Sequence, residues 1–143
     1  MYGKNDIERF LPPQEAWHDT ALAEIRRGHK ESHYMWFIFP QLRGLGHSYY
    51  SDYYGISGLD EAKVYLQHPI LGARLLEIRM ALLQLPGNDP YIIFGSIDTK
   101  KLCACMTLFE KAGDNSVFSD VLRKYFTGRR HTKTLELLGD SLQ

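Results

Sequence analysis

The chain has 143 residues, of which 44% are hydrophobic and 24% are charged. A chain of this length and composition can bury its own core and is typical of a globular protein rather than of a disordered one. Seventeen basic and seventeen acidic residues balance with His neutral, so the overall charge favours binding neither to nucleic acid nor to an anionic membrane.

Two helices are predicted at the N-terminal end. Asp6 is a good N-cap for a short first helix that ends near Leu11, because its carboxylate can accept from the free N–H groups of the first turn. Pro12 and Pro13 suit the first turn of a second helix, which should end at Gly28 in the left-handed conformation. Four residues form the apolar face of the second helix: Trp17, Ala21, Leu22 and Ile25.

The clearest helical periodicity lies in the middle of the chain. A helix beginning at Ser57 should end near His68, because Pro69 disfavours helical geometry in the residue before it. The next helix has apolar residues alternately four and three positions apart and is ended by Pro86 and Gly87. Those apolar residues are Leu71, Leu75, Ile78, Leu82 and Leu85.

Three further helices are predicted toward the C-terminus. The first is capped by Ser96 or Asp98, and the second begins at Ser116 and ends at Gly128. A short helix, 132–138, closes the chain. The inward-facing residues are Leu102, Cys105, Met106 and Phe109 in the first of these helices and Val117, Val121, Leu122 and Tyr125 in the second.

Two short apolar segments, 34–39 and 91–94, are ambiguous. Their residue types favour strands, but neither segment alternates, so a short buried helix fits each of them as well. A single isolated pair of strands is marginally stable in water. We therefore expect an all-α fold, a single domain over 1–143 built as an irregular bundle of about six to eight helices.

Three motifs taken together resemble an uncharacterised bacterial family, the domain of unknown function eighteen-ten, whose members are sometimes labelled calpastatin. These motifs are "GHKESHYMWFIFPQLRGLGHS", "EAKVYLQHPILGARL" and "SIDTKKLCACMTLF". The resemblance covers about residues 7–138 and implies a compact all-α domain with no established activity. The calpastatin label does not fit a chain with so regular a core pattern, because a flexible protease inhibitor should be poor in core residues.

The chain departs from the family pattern before "MTLF". The family places small hydroxyl residues there, whereas this chain has Ala104 and Cys105. The resemblance therefore transfers no nucleophile to this position, which we interpret as packing.

The two cysteines, Cys103 and Cys105, are predicted to be free thiols. On a helix they would point about 200° apart, so a disulfide between them is geometrically poor. No second Cys or His pair stands at zinc-binding spacing, and we predict no metal and no cofactor. Reduced thiols, together with the lack of a signal-peptide pattern or a long apolar run, lead us to expect a cytoplasmic protein without a membrane segment.

The aromatic segment 34–39 is the strongest candidate for a functional site. It is either a structural plug of the core or the wall of a ligand site, since binding sites are mostly apolar with a few polar groups at their edges. In the second interpretation Trp36 or Tyr34 stacks on a flat ring and a flanking cation meets a phosphate. The polar residues on either side are Lys30, Ser32, His33, Gln41 and Arg43.

Other candidates lie further along the chain. The tyrosine-rich segment 44–54, which includes Ser48 and Tyr54, suits either a packed loop or a lid over a site. His68 either lines a cleft or interacts with a helix end. Asp98 and Lys101, three residues apart, form either a helix cap with an exposed ion pair or part of a pocket.

We therefore predict a protein that binds, or hydrolyses, an anionic nucleotide-like small molecule, and whether it is an enzyme stays open. His33 and Asp98 are the candidate catalytic bases. The candidate ligand-binding residues are Lys30, Ser32, Trp36, Gln41, Ser48, Tyr54, His68 and Lys101. The alternative is a non-catalytic protein-interaction module with exposed aromatic residues. A basic cluster within 123–133 offers a third hypothesis, nucleic-acid binding, which the balanced charge disfavours.

Overall fold

The computed structural model describes residues 3–113 and 117–139, and these residues form one 3-10 helix followed by eight α-helices. The 3-10 helix is Ile7–Phe10, and the α-helices are α1 Leu11–Arg27, α2 Met35–Ile38, α3 Tyr49–Tyr53, α4 Leu59–Gln67, α5 Leu71–Gln84, α6 Pro90–Ala112, α7 Ser119–Phe126 and α8 Thr132–Leu138. Within the described residues there is no strand, and the β-type pairing consists of an isolated parallel bridge between Leu42 and Ile56. The prediction of an all-α fold is confirmed.

The N-terminal helix boundaries follow the signals in the sequence. The Asp6 side chain accepts a hydrogen bond from the backbone N–H of Glu8 and caps the 3-10 helix. Pro12 occupies the first turn of α1, where its missing donor leaves no hydrogen bond unmade. Gly28 ends α1 with a φ of 79°, a left-handed conformation that glycine adopts without a steric penalty.

Two later boundaries differ from the prediction. Gly58, not Ser57, is the N-cap of α4. Thr127 ends α7 with a φ of 52°, one residue before the predicted Gly128, which also has a positive φ. The predicted cap of α7, Ser116, lies outside the described residues.

Both ambiguous segments are helical. Met35–Ile38 is a single turn whose backbone bonds are local, from the N–H of Ile38 to the carbonyl of Tyr34 and from that of Phe39 to Met35. Local bonding satisfies the backbone inside the core without a partner strand. Residues 91–94 belong to the first part of α6, which begins at Pro90 with Asp89 as its N-cap; Gly95 interrupts the helix, and helical geometry resumes near the predicted start at Ser96.

One buried core joins the helices. The long helix α6 packs against α4, α7 and α8, while α5 packs against α1, α4 and α7. Trp17 was predicted to face this core, but its side chain is 42% exposed. The buried face of α1 instead includes Gln14, whose amide donates to the Phe37 carbonyl at 2.8 Å and to the Tyr65 hydroxyl at 2.9 Å.

A buried arginine fastens the N-terminal turn to the middle of the chain. The Arg9 guanidinium donates to both Glu61 carboxylate oxygens at 3.1 and 3.2 Å and to the carbonyls of Asp6, Tyr53 and Gly55. Its charge is thus paired, and its donors are satisfied, as burial of an ion requires. This arrangement holds the end of the tyrosine-rich segment in place.

Candidate functional site

The candidate site begins at a kink in α6. Gly95 interrupts the helix with φ 75° and ψ 179°, a combination that residues with a side chain rarely adopt. Helical geometry resumes immediately afterwards, and the turn that follows includes Ile97, Asp98, Lys100 and Lys101. The kink therefore determines where these four side chains lie relative to the first half of α6.

Lys30 connects the two sides of this kink. Its backbone N–H donates to the Ile93 carbonyl at 2.8 Å, before the kink, and its ammonium lies 2.8 Å from an Asp98 carboxylate oxygen, after it. The Lys30 side chain is only 6% exposed, and its ammonium lies 4.9 Å from the centre of the Tyr34 ring. The buried Lys30 side chain and its backbone thus join the two halves of α6 on either side of the kink.

A chain of contacts continues from Asp98 to the aromatic segment. The other Asp98 oxygen is 3.7 Å from the Lys101 ammonium, which in turn lies 3.8 Å from the centre of the Trp36 ring. A cation over an indole face is attracted by the negative face of the ring. Lys101 is therefore held between a carboxylate and an aromatic surface.

Beside this chain of contacts lies a hollow of ≈ 450 Å³, which we call the basic hollow. Its volume is in the range of small-molecule sites. None of its lining residues is acidic, and four of them are lysines or a histidine. The lining residues are Trp36, Gln41, Leu45, Gly46, Ile97, Lys100, Lys101, His131 and Lys133.

Other hollows are less suited to a charged ligand. One of ≈ 490 Å³ includes Leu66 and Phe118 in its lining, and Lys63 is the one charged residue among the described residues around it. Another, of ≈ 730 Å³ near the N-terminal turn, is wide open and includes Asp60 and Glu61. Converging cations and an aromatic wall distinguish the basic hollow from both.

His131 is held in a defined orientation at the edge of the hollow. Its Nδ1 atom accepts from the backbone N–H of Thr134 at 3.2 Å and lies 2.9 Å from the hydroxyl of the same threonine. Its own backbone N–H donates to the Thr107 hydroxyl at 2.9 Å. Burial, followed by the charge of Lys100, lowers the pKa of this imidazole below its usual value.

The structure places five of the predicted site residues in or beside the basic hollow. Trp36, Gln41 and Lys101 line it, and Asp98 and Lys30 lie behind Lys101 in the chain of contacts. These residues come from distant parts of the sequence. Five of the ten predicted residues thus lie close together, whereas Ser32, His33, Ser48, Tyr54 and His68 do not line the hollow.

Tyr54 lies in an adjacent cleft rather than in the hollow. This narrow cleft shares Trp36 and Gln41 with the basic hollow and is also lined by Tyr50. The rings of Tyr50 and Tyr54 are stacked with 6.5 Å between their centres. Ser48 is exposed and caps α3 by accepting from the Ser51 N–H at 3.1 Å.

Ser32 binds a buried carboxylate instead of lining the hollow. Glu24 accepts from the Ser32 hydroxyl at 2.5 Å, from the Ser32 N–H at 3.0 Å and from the Glu31 N–H at 2.8 Å. Burial raises the pKa of Glu24, but the hydrogen bonds from Ser32 and Glu31 outweigh it and bring that pKa to about 2. The neighbouring His33 is exposed and is not among the lining residues.

His68 lies at the break between α4 and α5, outside the basic hollow. Its Nδ1 atom accepts from the N–H groups of Ile70 at 3.2 Å and Leu71 at 3.3 Å, and its Nε2 is 4.0 Å from the Glu8 carboxylate. The structure thus gives this imidazole a capping role at the start of α5.

Three basic lining residues, Lys100, His131 and Lys133, were not among the predicted site residues. Two of them belong to the basic cluster of 123–133, but other members of that cluster serve the fold. Arg130 donates to the Glu110 carboxylate, and Lys124 donates to the backbone carbonyls of Leu83 and Leu85 at the C-terminal end of α5. The sequence showed the cluster without showing which of its members face the aromatic segment.

Residues 3–113 and 117–139 hold no group of three or more His, Cys, Asp or Glu side chains that could bind a metal ion. Across the same residues, no helix is long and apolar enough to cross a membrane. Both cysteines are free. Burial raises the pKa of the Cys103 thiol to about 11 and that of Cys105 well above its usual value, so neither has the character of a reactive thiolate.

Comparison with known proteins places the chain in a family. The family described as Protein of unknown function (DUF1810) matches residues 4–138. The crystal structure of the conserved hypothetical protein Rv1873 from Mycobacterium tuberculosis is similar, with a TM-score of 0.92 and 44% identity over 96% of this chain and 99% of that one. No match was found among proteins of curated function. The match over nearly the whole length shows that this chain belongs to the DUF1810 family.

Proposed function

We propose that the protein binds an anionic, nucleotide-like small molecule in the basic hollow. The observation that carries this proposal is the convergence of Lys100, Lys101, Lys133 and His131 on a hollow walled by Trp36. Lys101 is paired with Asp98, but no carboxylate among the described residues pairs with Lys100 or Lys133, so these two cations attract an anion more strongly than the balanced charge of the chain suggests. We also propose that the protein is cytoplasmic, because free thiols are typical of a reducing compartment.

The aromatic part of the ligand has a surface next to the hollow. Lys101 already covers one face of Trp36, so a flat ring has to use the part of the indole that remains free. The adjacent cleft is too narrow to admit even a water molecule, but Tyr50, one of its lining residues, is 56% exposed. Stacking on an exposed tyrosine contributes about 1–3 kcal/mol per base in proteins that bind bases in this way.

The geometry supports binding better than hydrolysis. Both carboxylate oxygens of Asp98 are already in contact with Lys30 or Lys101, and His33 lies outside the hollow. Neither predicted base is therefore free to activate a water molecule over the hollow. Binding without catalysis is the function that we propose.

A thermal-shift experiment with ADP tests this proposal. ADP combines a flat ring with two phosphates, and a ligand at about 100 times its dissociation constant adds about 2.7 kcal/mol to the free energy of unfolding. We expect ADP to raise the Tm of the wild-type protein by several degrees, and Lys101→Met and Lys133→Met to remove most of that rise. Lys63→Met is the matched control, because Lys63 lines the other, mostly apolar hollow.

The ligand-induced rise is compared with each variant's own Tm without ligand, so a variant's intrinsic stability does not enter. An equal rise in the wild type and in both hollow variants would place the ligand elsewhere. A rise lost equally in Lys63→Met would show a general effect of charge rather than a site.

A protein-interaction surface is the second candidate, because the adjacent residues Tyr49 and Tyr50 are strongly exposed. The Tyr49 side chain is 72% exposed, and its ring stacks on that of Tyr53 at 5.9 Å between centres. Preordered aromatic side chains are typical of interface hot spots. This candidate gains support if no anionic small molecule changes the Tm of the wild-type protein.

A further inference from the structure

His131 presents one of its two ring nitrogens for ligand contact. Nδ1 is an acceptor, since the backbone N–H of Thr134 donates to it. In a neutral imidazole the proton must then be on Nε2, which makes Nε2 a donor. No described residue accepts a hydrogen bond from Nε2, and the imidazole lines the basic hollow.

The groups that face His131 from the surrounding elements are mostly cationic. Lys100 and Lys101 come from α6, and Lys133 comes from α8. Arg130 directs its guanidinium to Glu110, and the Cys103 thiol is neutral at pH 7 because burial raises its pKa to about 11. The lining residues of segment 36–46 include no titratable group.

This environment keeps the free imidazole neutral and should change when an anion enters. Burial and the Lys100 charge both disfavour the imidazolium in the empty hollow. A negatively charged group next to Nε2 has the opposite effect, because it favours the protonated form. An anion bound there therefore raises the pKa of His131 and favours proton uptake.

We propose that the basic hollow takes a terminal phosphate group, the end of a phosphomonoester or a diphosphate, and that His131 contacts it through Nε2 and takes up a proton when it binds. This inference rests on the proposed function and makes its ligand more specific. A terminal phosphate carries about 1.5 to 2 negative charges at pH 7, whereas an internal phosphodiester carries one. Three lysines and a proton-accepting imidazole match the more highly charged group.

Isothermal titration calorimetry with ADP at pH 7.5, in two buffers of different ionisation enthalpy, measures this proton uptake directly. We expect the wild-type protein to take up a substantial fraction of a proton per ADP bound, up to about one. His131→Asn should abolish that uptake and weaken ADP binding by about tenfold or more, since a hydrogen bond to a charged group contributes at least that factor. Asparagine is a good N-cap and so preserves the start of α8.

His29→Asn is the matched control, because His29 is exposed and does not line the hollow. It should change neither the affinity nor the proton uptake. Binding with no proton uptake, or uptake that persists in His131→Asn, would overturn the role of His131.

The chemical class of the ligand is tested with the same base and different phosphates. ADP and AMP should bind the wild-type protein about tenfold or more tightly than cyclic AMP, whose phosphate is a diester, and adenosine should bind most weakly. Equal binding of ADP and cyclic AMP would overturn the terminal phosphate and leave the proposed function standing. If neither the adenine compounds nor inorganic pyrophosphate binds, both proposals fail.

A nitrogen NMR spectrum of the wild-type protein gives a readout that does not depend on any variant. The free protein should show His131 as the neutral tautomer with its proton on Nε2, and saturation with ADP should protonate both ring nitrogens. A free imidazole with its proton on Nδ1, or one unchanged by saturating ADP, would contradict the proposal.

Discussion

At the scale of single residues, Glu24 shows how a buried charge can shape the path to the site. Its carboxylate receives hydrogen bonds from Ser32 and Glu31, in the turn that leads from Gly28 to the aromatic segment. The same turn carries Lys30 to Asp98. A charged and buried acceptor thus fixes a loop that would otherwise leave its N–H groups unpaired.

The ionisation of Glu24 should make the stability of the protein depend on pH. The pKa of Glu24 is lowered from 4.5 to about 2 in the folded state, so its contribution is fully present above about pH 4.5 and is lost as the pH falls toward 2. A pKa shift of this size corresponds to a contribution of about 3 kcal/mol to the free energy of unfolding at neutral pH. Glu24→Gln should therefore lower the free energy of unfolding at pH 7 and flatten its decline between pH 5 and 2.5, measured by urea denaturation.

Asp19→Asn provides the control for the Glu24 prediction. Asp19 also lies on α1, but its side chain is exposed. The wild type and Asp19→Asn should lose stability in parallel as the pH falls. If Glu24→Gln declined as steeply as they do, the acid sensitivity would have another source.

At the scale of secondary-structure elements, the kinked helix α6 shows both the reach and the limit of sequence analysis. A helix start was predicted at Ser96 or Asp98, and helical geometry does resume just after Gly95. The sequence contains a second start, Asp89 followed by Pro90, which lengthens the helix by nearly two turns. Local signals identified the start near Ser96, but they did not show that the contacts of Lys30 join the two sides of the kink.

The same limit applies to the site. Trp36 and Gln41 could be identified because an aromatic segment with polar edges is recognisable in one stretch of sequence. Lys133 and His131 could not be separated from the rest of their basic cluster, because only the packing of α8 against α6 brings them to Trp36. His68 was chosen for its residue type, and the structure gives it a helix end to cap.

Replacement of Gly95 should test the importance of the kink. Its φ of 75° and ψ of 179° are unfavourable for any residue with a side chain, whereas a Cβ there would meet nothing within 4 Å. The penalty therefore comes from the backbone, about 1–3 kcal/mol. We expect Gly95→Ala to lower the free energy of unfolding by this amount and to reduce the ADP-induced rise in Tm, because Lys101 would shift relative to Trp36.

Gly58→Ala is a matched control for the kink. A Cβ at Gly58 also meets nothing within 4 Å, but its φ of 167° is extended backbone that any residue adopts. This variant should retain its response to ADP, and it should lose no more than about 1 kcal/mol of stability, because alanine is a poorer N-cap of α4 than glycine. If both variants lost the same amount of stability and of the ADP-induced rise in Tm, the left-handed conformation at Gly95 would not be needed for the site.

At the scale of the whole molecule, the buried residues form one continuous cluster. It includes residues from the 3-10 helix and from α1, α2, α4, α5, α6 and α7, and Leu138 of α8 packs against it. Long-range hydrogen bonds join the N-terminal elements to the rest of the chain. Arg9 of the 3-10 helix bonds to Glu61 of α4, and Gln14 of α1 bonds to Tyr65 of α4 and to Phe37 of the aromatic segment. Among residues 3–113 and 117–139 no group of helices has a separate interior, and a single domain over 1–143 stays a prediction.

Cooperative unfolding is the corresponding prediction. The chain has two tryptophans, Trp17 on the exposed side of α1 and Trp36 under Lys101 at the basic hollow, so each reports on a different region. Urea unfolding followed by the fluorescence of Trp17→Phe, by that of Trp36→Phe and by far-ultraviolet circular dichroism tests whether these regions unfold together. Within each variant, the fluorescence and dichroism midpoints should coincide, as they do for a two-state domain.

An earlier fluorescence transition in Trp17→Phe, whose one tryptophan is Trp36, would instead show that the basic hollow opens before the core. In that event the site would belong to a less stable part of the molecule, and ADP should then move the early transition more than the late one.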